Sequence, residues 1–205
     1  MSRLSTGVPV LDRRLGGGLP PGSLAALVTP PESQSELFLQ ALCDTAEAVY
    51  LTTLRPAAEV ERQLADAGVE NASVTSCDPE TLTTEPDRLL ADIPEDGVVV
   101  IDPFNPVETA DRTRHAAVLD ALKSGLEAAG AVGMVHCLAD DADGAARTRT
   151  LARSDLVCEV DIVKTSLSID TRLYVTKFRG GSALTEPVKV KLTDTVSVDT
   201  SRDIA

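Results

Sequence analysis

The run Gly97-Val98-Val99-Val100-Ile101-Asp102 limits the possible folds of this chain more than any other segment. Successive strand side chains point to opposite faces. Four consecutive branched apolar residues therefore need cover on both faces, as in a central strand of a parallel sheet. Leu24–Val28, Val49–Leu54 and Ala131–Leu138 are similarly apolar and β-rich. Helix-like segments separate these runs, so the chain reads as repeated strand–helix units.

The expected helices span Val8–Leu15, ended by Gly16-Gly17-Gly18, and a stretch carrying Leu37, Leu39, Ala41 and Leu42. Another starts at Pro56, carries Val60 and Leu64, and closes at Gly68. Val69–Ser76 is expected as a short strand, Asp87–Ile93 as a brief helix and Glu108–Ala129 as a long one. A short helix is expected around Ala142–Ala152. Near residue 155 the pattern changes. Asp155–Val163, Ser166–Lys177 and Pro187–Leu192 are β-rich and turn-separated, as in an antiparallel meander. The expected fold is α/β, a parallel sheet flanked by helices with a C-terminal antiparallel β extension. One domain over residues 1–205 is expected, with a lead-in at 1–22 and a polar tail at 194–205 free to fray.

Charge narrows the partners. The chain carries 32 acidic and 19 basic residues, a net charge of −13, with 19 Asp and only 5 Lys. An Asp-rich, Lys-poor surface suits concentrated salt, which screens the self-repulsion. It argues against direct nucleic-acid binding, which needs clustered Lys and Arg. The Arg147, Arg149 and Arg153 stretch reads as a solvated helix face. Cys43, Cys77, Cys137 and Cys158 form no C-x-x-C pair, so no zinc or redox motif is supported, and Cys137 and Cys158 read as buried thiols. No apolar run has the length of a membrane span, so a cytoplasmic protein with no membrane partner is expected.

The first strand leads into Thr29-Pro30-Pro31-Glu32-Ser33-Gln34-Ser35-Glu36 and then a helix. A phosphate-binding loop, G-x-x-x-x-G-K-[ST], occupies this setting. Here Thr29 and Gln34 stand at the glycine positions, Ser35 at the lysine and Glu36 at the Mg²⁺-binding hydroxyl. Glu32 and Glu36 would each repel a phosphate charge by roughly 3 kcal/mol at ~5 Å and an effective dielectric of ~20. Glu32 or Ser33 could instead cap the helix.

The segment Ser5-Thr6-Gly7-Val8-Pro9-Val10-Leu11-Asp12-Arg13-Arg14-Leu15-Gly16-Gly17-Gly18-Leu19-Pro20-Pro21-Gly22-Ser23 closely resembles the lead-in of RecA-superfamily ATPases of the KaiC/RadA branch. The resemblance implies a RecA-like, P-loop NTPase-type fold over nearly the whole chain. It also implies the place of each ATPase part. Asp102 matches the Walker B acid that holds the water shell of Mg²⁺, although an Asp-Pro turn accounts for it equally. The catalytic glutamate should follow the second strand, where Leu54 and Arg55 stand. Lys177 and Arg179 match a Lys-x-Arg pair that reaches a neighbour's terminal phosphate, or else form a charged strand end. His136 falls beside the cleft, where relatives place a nucleotide-sensing residue, and His115 is expected to face solvent. The expected function is a non-catalytic relative without a cofactor, associating with itself or with an active paralogue in regulation or signalling. The alternatives are a divergent ATPase using ATP and Mg²⁺ and a recombinase-like accessory protein in DNA repair.

Overall fold

A computed structural model describes residues 2–139 and 144–198. All nine described strands join one sheet, in the order β3-β2-β4-β5-β1-β6-β7-β8-β9. The strands are β1 Leu24–Thr29, β2 Ala48–Thr52, β3 Ala72–Ser76, β4 Val98–Asp102 and β5 Val132–Leu138, followed by β6 Leu156–Lys164, β7 Ile169–Phe178, β8 Val188–Leu192 and β9 Val196–Val198. The pairings from β3 to β6 are parallel, and β6 to β9 form the antiparallel extension.

The expectation for the valine run holds. All five residues of β4 are buried. Val98 and Val100 face one apolar cluster, while Val99 and Ile101 face the other. Helices α1 (Pro9–Arg14), α2 (Glu36–Cys43) and α3 (Ala57–Asp66) supply the first cluster through Leu11, Leu39, Leu42, Val60 and Leu64. Helices α4 (Pro79–Thr84), α5 (Pro86–Leu89), α6 (Asn105–Glu108) and α7 (Arg112–Ala129) supply the second through Leu82, Leu89, Val107, Val118 and Leu122. With so few aromatics, Leu and Val carry this burial, each fully buried side chain contributing about 1.5–3 kcal/mol.

Several boundaries differ from expectation for local reasons. The Glu108–Ala129 helix is two, α6 (Asn105–Glu108) and α7 (Arg112–Ala129). Asp111 starts the second by accepting from the Thr113 and Arg114 amides, and Gly130 ends it in the left-handed conformation. The expected Asp87–Ile93 helix shrinks to α5 (Pro86–Leu89). Helix α4, unanticipated, starts where Asp78 caps Thr81 and Pro79 takes the first turn. Helix α8 covers Gly144–Arg153; the first two residues of its expected range, 142–143, lie outside the described residues. The tail expected to fray instead contributes β9, whose Val196 and Val198 pack against the core; residues 199–205 lie outside the described residues.

The lead-in is a packed clasp. Asp12 accepts hydrogen bonds from Ser5 Oγ, the Thr6 amide and Thr6 Oγ1, so Ser5 and Thr6 hold the helix through its first-turn acid instead of capping it. Gly7 has φ +78°, and a Cβ there would meet the Ala41 carbonyl oxygen of α2 at 2.0 Å. Leu4 and Leu19 pair across the clasp.

Candidate functional site

At the C-terminal ends of the parallel strands, polar side chains replace the apolar ones facing α2. The registers pair Ile101 with Val135 and Leu27 with His136, so His136 sits beside Asp102 on one side and near Thr29 on the other. Tyr50 of β2 completes a row across four adjacent strands, β2-β4-β5-β1.

Asp102 is the hub, with its side chain 5% exposed. Its Oδ2 accepts from Tyr50 Oη at 2.5 Å and from Arg55 Nη2 at 2.9 Å. Its Oδ1 accepts from His136 Nδ1 at 2.5 Å. A carboxylate only accepts, so His136 carries a proton on Nδ1. The other ring nitrogen, Nε2, lies 2.9 Å from Thr29 Oγ1 and 3.1 Å from Ser35 Oγ. Thr29 Oγ1 also donates to Ser35 Oγ at 3.1 Å, closing a triangle. Arg55 Nη1 donates to Gln63 of α3 at 2.6 Å. An unbroken polar chain thus runs from α3 to the start of α2.

Burial alone would raise the Asp102 carboxyl. The His136 bond and charge outweigh it, with Tyr50 and Arg55 adding to them, and the pKa drops to about 2. Burial, then the neighbouring Asp102 charge, pushes the Tyr50 hydroxyl well above its usual range.

The loop after β1 serves this network. Pro30-Pro31 ends the strand, and the Ser33 amide and hydroxyl both return to the Pro30 carbonyl at 3.0 and 2.7 Å. Neither Glu32 nor Ser33 caps α2, contrary to expectation. The N-cap is Ser35, and its hydroxyl is turned to His136, leaving no side-chain cap bond. Glu32 is exposed and lies 3.7 Å from Lys164. Gln34 lines a cleft beside the extension, and Glu36 opens α2. Among the described residues Asp96 is the one non-glycine at positive φ, so residues 29–36 all have ordinary backbone conformations.

Lys177 and Arg179 lie at the opposite end of the sheet, where β1 and β6 begin. Lys177 Nζ donates to the Leu151 and Ala152 carbonyls at 2.7 and 3.0 Å, and Arg179 Nη2 to Ala152 at 2.8 Å. Both cations therefore meet the negative C-terminal end of α8. Burial, then repulsion from Arg179, lowers the Lys177 pKa.

Two readings of α8 and α7 are corrected. Two of the three arginines are not on a solvated face. Arg147 grips buried Glu108 through two nitrogens at 2.7–3.0 Å and Arg149 meets His115 Nδ1 at 2.8 Å, whereas Arg153 is exposed, as expected, and pairs with exposed Asp120. His115 is 0% exposed, sitting over Phe104 with Nε2 3.1 Å from Thr150 Oγ1. A helix in the cover layer turns one face inward, and His115 lies on that face, three residues before Val118.

All four cysteines are buried and free. Burial pushes the Cys43 and Cys158 thiols up to about 12. Among the described residues no three His, Cys, Asp or Glu side chains are grouped so that they could hold a metal together, and no helix is long and apolar enough to cross a membrane.

Sequence reasoning missed Tyr50 and the inward use of Thr29 and Ser35. The available signal was polar residues ending several apolar strands, but their alignment depends on register.

The fold matches that of a KaiC-like protein from the hyperthermophilic archaeon Pyrococcus horikoshii, with a TM-score of 0.78 over 96% of this chain and 98% of that one, at 15% identity. At that identity the likeness establishes the RecA-type fold. No curated protein matches the sequence. A family of unknown function, DUF7125, matches residues 3–205. The chain therefore belongs to the DUF7125 family.

Proposed function

We propose that this protein is a non-catalytic KaiC/RadA-like domain that acts through protein–protein association in regulation or signalling. The observation carrying this reading is the closed polar chain from Arg55 through Asp102 and His136 to Ser35 and Thr29.

The residues do not fit a Mg²⁺-triphosphate. A phosphate nest needs backbone N–H groups brought together by left-handed residues, and residues 29–36 include none. The lysine position holds Ser35, whose hydroxyl turns inward. The acid that would hold the metal's water shell is committed to Arg55, Tyr50 and His136, and the guanidinium already supplies its counter-charge. Arg55 follows the second strand where a general base would be needed, and an arginine stays protonated. Breaking the Asp102 contacts to admit a metal would leave Arg55 without its carboxylate and cost several kcal/mol.

Thermal melting in concentrated KCl, with and without millimolar Mg-ATP, tests the reading. A ligand at 100 times its Kd adds about 2.7 kcal/mol of stability. The expected result is an unchanged melting temperature. An upward shift that Gln34 or Ser35 substitution abolishes would overturn the proposal.

A further inference from the structure

The first hairpin of the extension outruns the parallel strands. β6 pairs with β1 only from Leu156 to Glu159, while its pairing with β7 continues to Lys164. β1 stops there because Pro30 and Pro31 have no N–H with which to continue the ladder. In an antiparallel ladder, alternate residues turn their N–H and C=O away from the partner strand. Along residues 160–164 those outward groups face the side that β1 has left, and no backbone group of a described residue pairs with them there. The sheet thus keeps a short open edge between the hairpin and the loop after β1.

Beside this edge lies a cleft of about 380 Å³. Ile162, Ile169, Val190 and Leu192 give it an apolar floor, and Glu32 and Gln34 stand on the loop side. The loop stays close to the hairpin, with Glu32 3.7 Å from Lys164. Charge is divided unevenly around the cleft. Residues 1–155 hold 25 acidic and 12 basic residues, whereas residues 156–198, which form β6 to β9, hold 5 acidic and 6 basic. A chain entering here therefore lies against a strongly acidic body.

We propose that this edge and cleft receive an extended segment of a different protein, which adds a strand to β6 along residues 160–164. This rests on the association reading above and names the partner by its chemistry. A row of outward N–H and C=O groups is satisfied by an extended backbone that offers the same groups in return. Strand side chains alternate between faces, so every second one of the segment is apolar and enters the cleft, and those between are polar. Its flanks are basic. Positive flanks are drawn to the acidic body, whereas a second copy, at −13, would bring acid against acid. Molar salt, with a Debye length of about 3 Å, removes the steering but leaves the backbone pairing and the apolar contact.

Fluorescence anisotropy of a labelled synthetic peptide, with valine at alternate positions, threonine between them and lysine at both ends, reads the binding. Saturable binding to the full chain in molar KCl is expected. Methylating one alternate set of the peptide's backbone nitrogens should weaken it by about tenfold or more, and methylating the other set should change it little. Amide exchange at residues 160–164 should slow when the peptide binds. Ile169→Asp, at a 72% exposed position in the cleft floor, should weaken binding by about tenfold. Leu167→Asp, at a 96% exposed position outside the cleft lining, should leave it unchanged. Both substitutions alter exposed side chains, so circular dichroism should match the wild type. No saturable binding, equal weakening by the two methylated sets, unchanged exchange at residues 160–164 in the complex, or equal effects of the two aspartates would each overturn this proposal. Concentration-dependent light scattering that Ile169→Asp abolishes would overturn it too, by assigning the cleft to a second copy. A protein that binds no peptide and is unshifted by Mg-ATP leaves the non-catalytic reading standing, whereas a Mg-ATP shift overturns that reading whatever the peptide does.

Discussion

His136 Nδ1 donates to Asp102 Oδ1 across 2.5 Å, joining the ends of two neighbouring strands inside the site. Both side chains are almost fully buried, 3% and 5% exposed. Their contact turns a position that could face a ligand into part of the protein's own interior.

Removing the hub should be costly. Asp102→Ala strands Arg55, Tyr50 and His136, and breaking a buried charged pair typically costs about 3–5 kcal/mol. Urea unfolding in concentrated KCl would measure it. Glu32→Gln, at an exposed ion pair, should stay within about 0.5 kcal/mol of wild type. Equal effects for the two would mean that the polar chain contributes nothing to stability.

The same carboxylate sets an acid limit. Its folded pKa of about 2 lies below the ordinary 3.8. A depressed pKa contributes stability that is complete above the unfolded value and is lost as pH falls through the folded one. On the order of 2 kcal/mol should therefore disappear between about pH 4 and pH 2. Asp102→Asn should flatten this part of the stability–pH curve relative to wild type.

Gly7→Ala should destabilise severely, by more than about 2 kcal/mol. The residue sits at φ +78° with the α2 backbone against it. Gly68→Ala, at φ +81° with nothing within 4 Å, tests strain without collision and should cost less. Melting temperatures of the two variants decide the comparison.

Lys177→Ala and Arg179→Ala should each cost about 0.3–1 kcal/mol through loss of charge at the end of α8. Amide exchange should quicken in the last turn of that helix. Unchanged exchange there would remove the capping role and favour an outward task for the pair.

Salt should stabilise this fold. With a net charge of −13, self-repulsion at low ionic strength works against the compact state. The urea midpoint should rise steadily from dilute to molar KCl. A flat or falling midpoint would show that the acidic surface imposes no electrostatic strain.

The resemblance carried by residues 5–23 proved legible for a structural reason. Gly7, Ser5, Thr6 and Asp12 build a clasp that Gly7 seats against α2, and that packing is independent of what the neighbouring loop binds. The lead-in therefore announces the fold and is silent about chemistry. The doubly apolar β4, the Gly130 helix stop and the change to a meander near residue 155 were readable in the same way, because period and breaker residues act locally.

The sequence by itself determined the α/β architecture, the parallel core and a loop at residues 29–36 that holds neither glycine nor lysine. Only the tertiary structure decided what the side chains of that loop touch. Thr29, Ser35, Tyr50, Arg55, Asp102 and His136 are spread over more than a hundred positions, and strand order β2-β4-β5-β1 brings them into one row. Lys177 and Arg179, the Lys-x-Arg pair at the end of β7, lie at the other end of the sheet from this row for the same reason. Strand order and register come from packing between distant segments, and that information is carried by no single stretch of the chain.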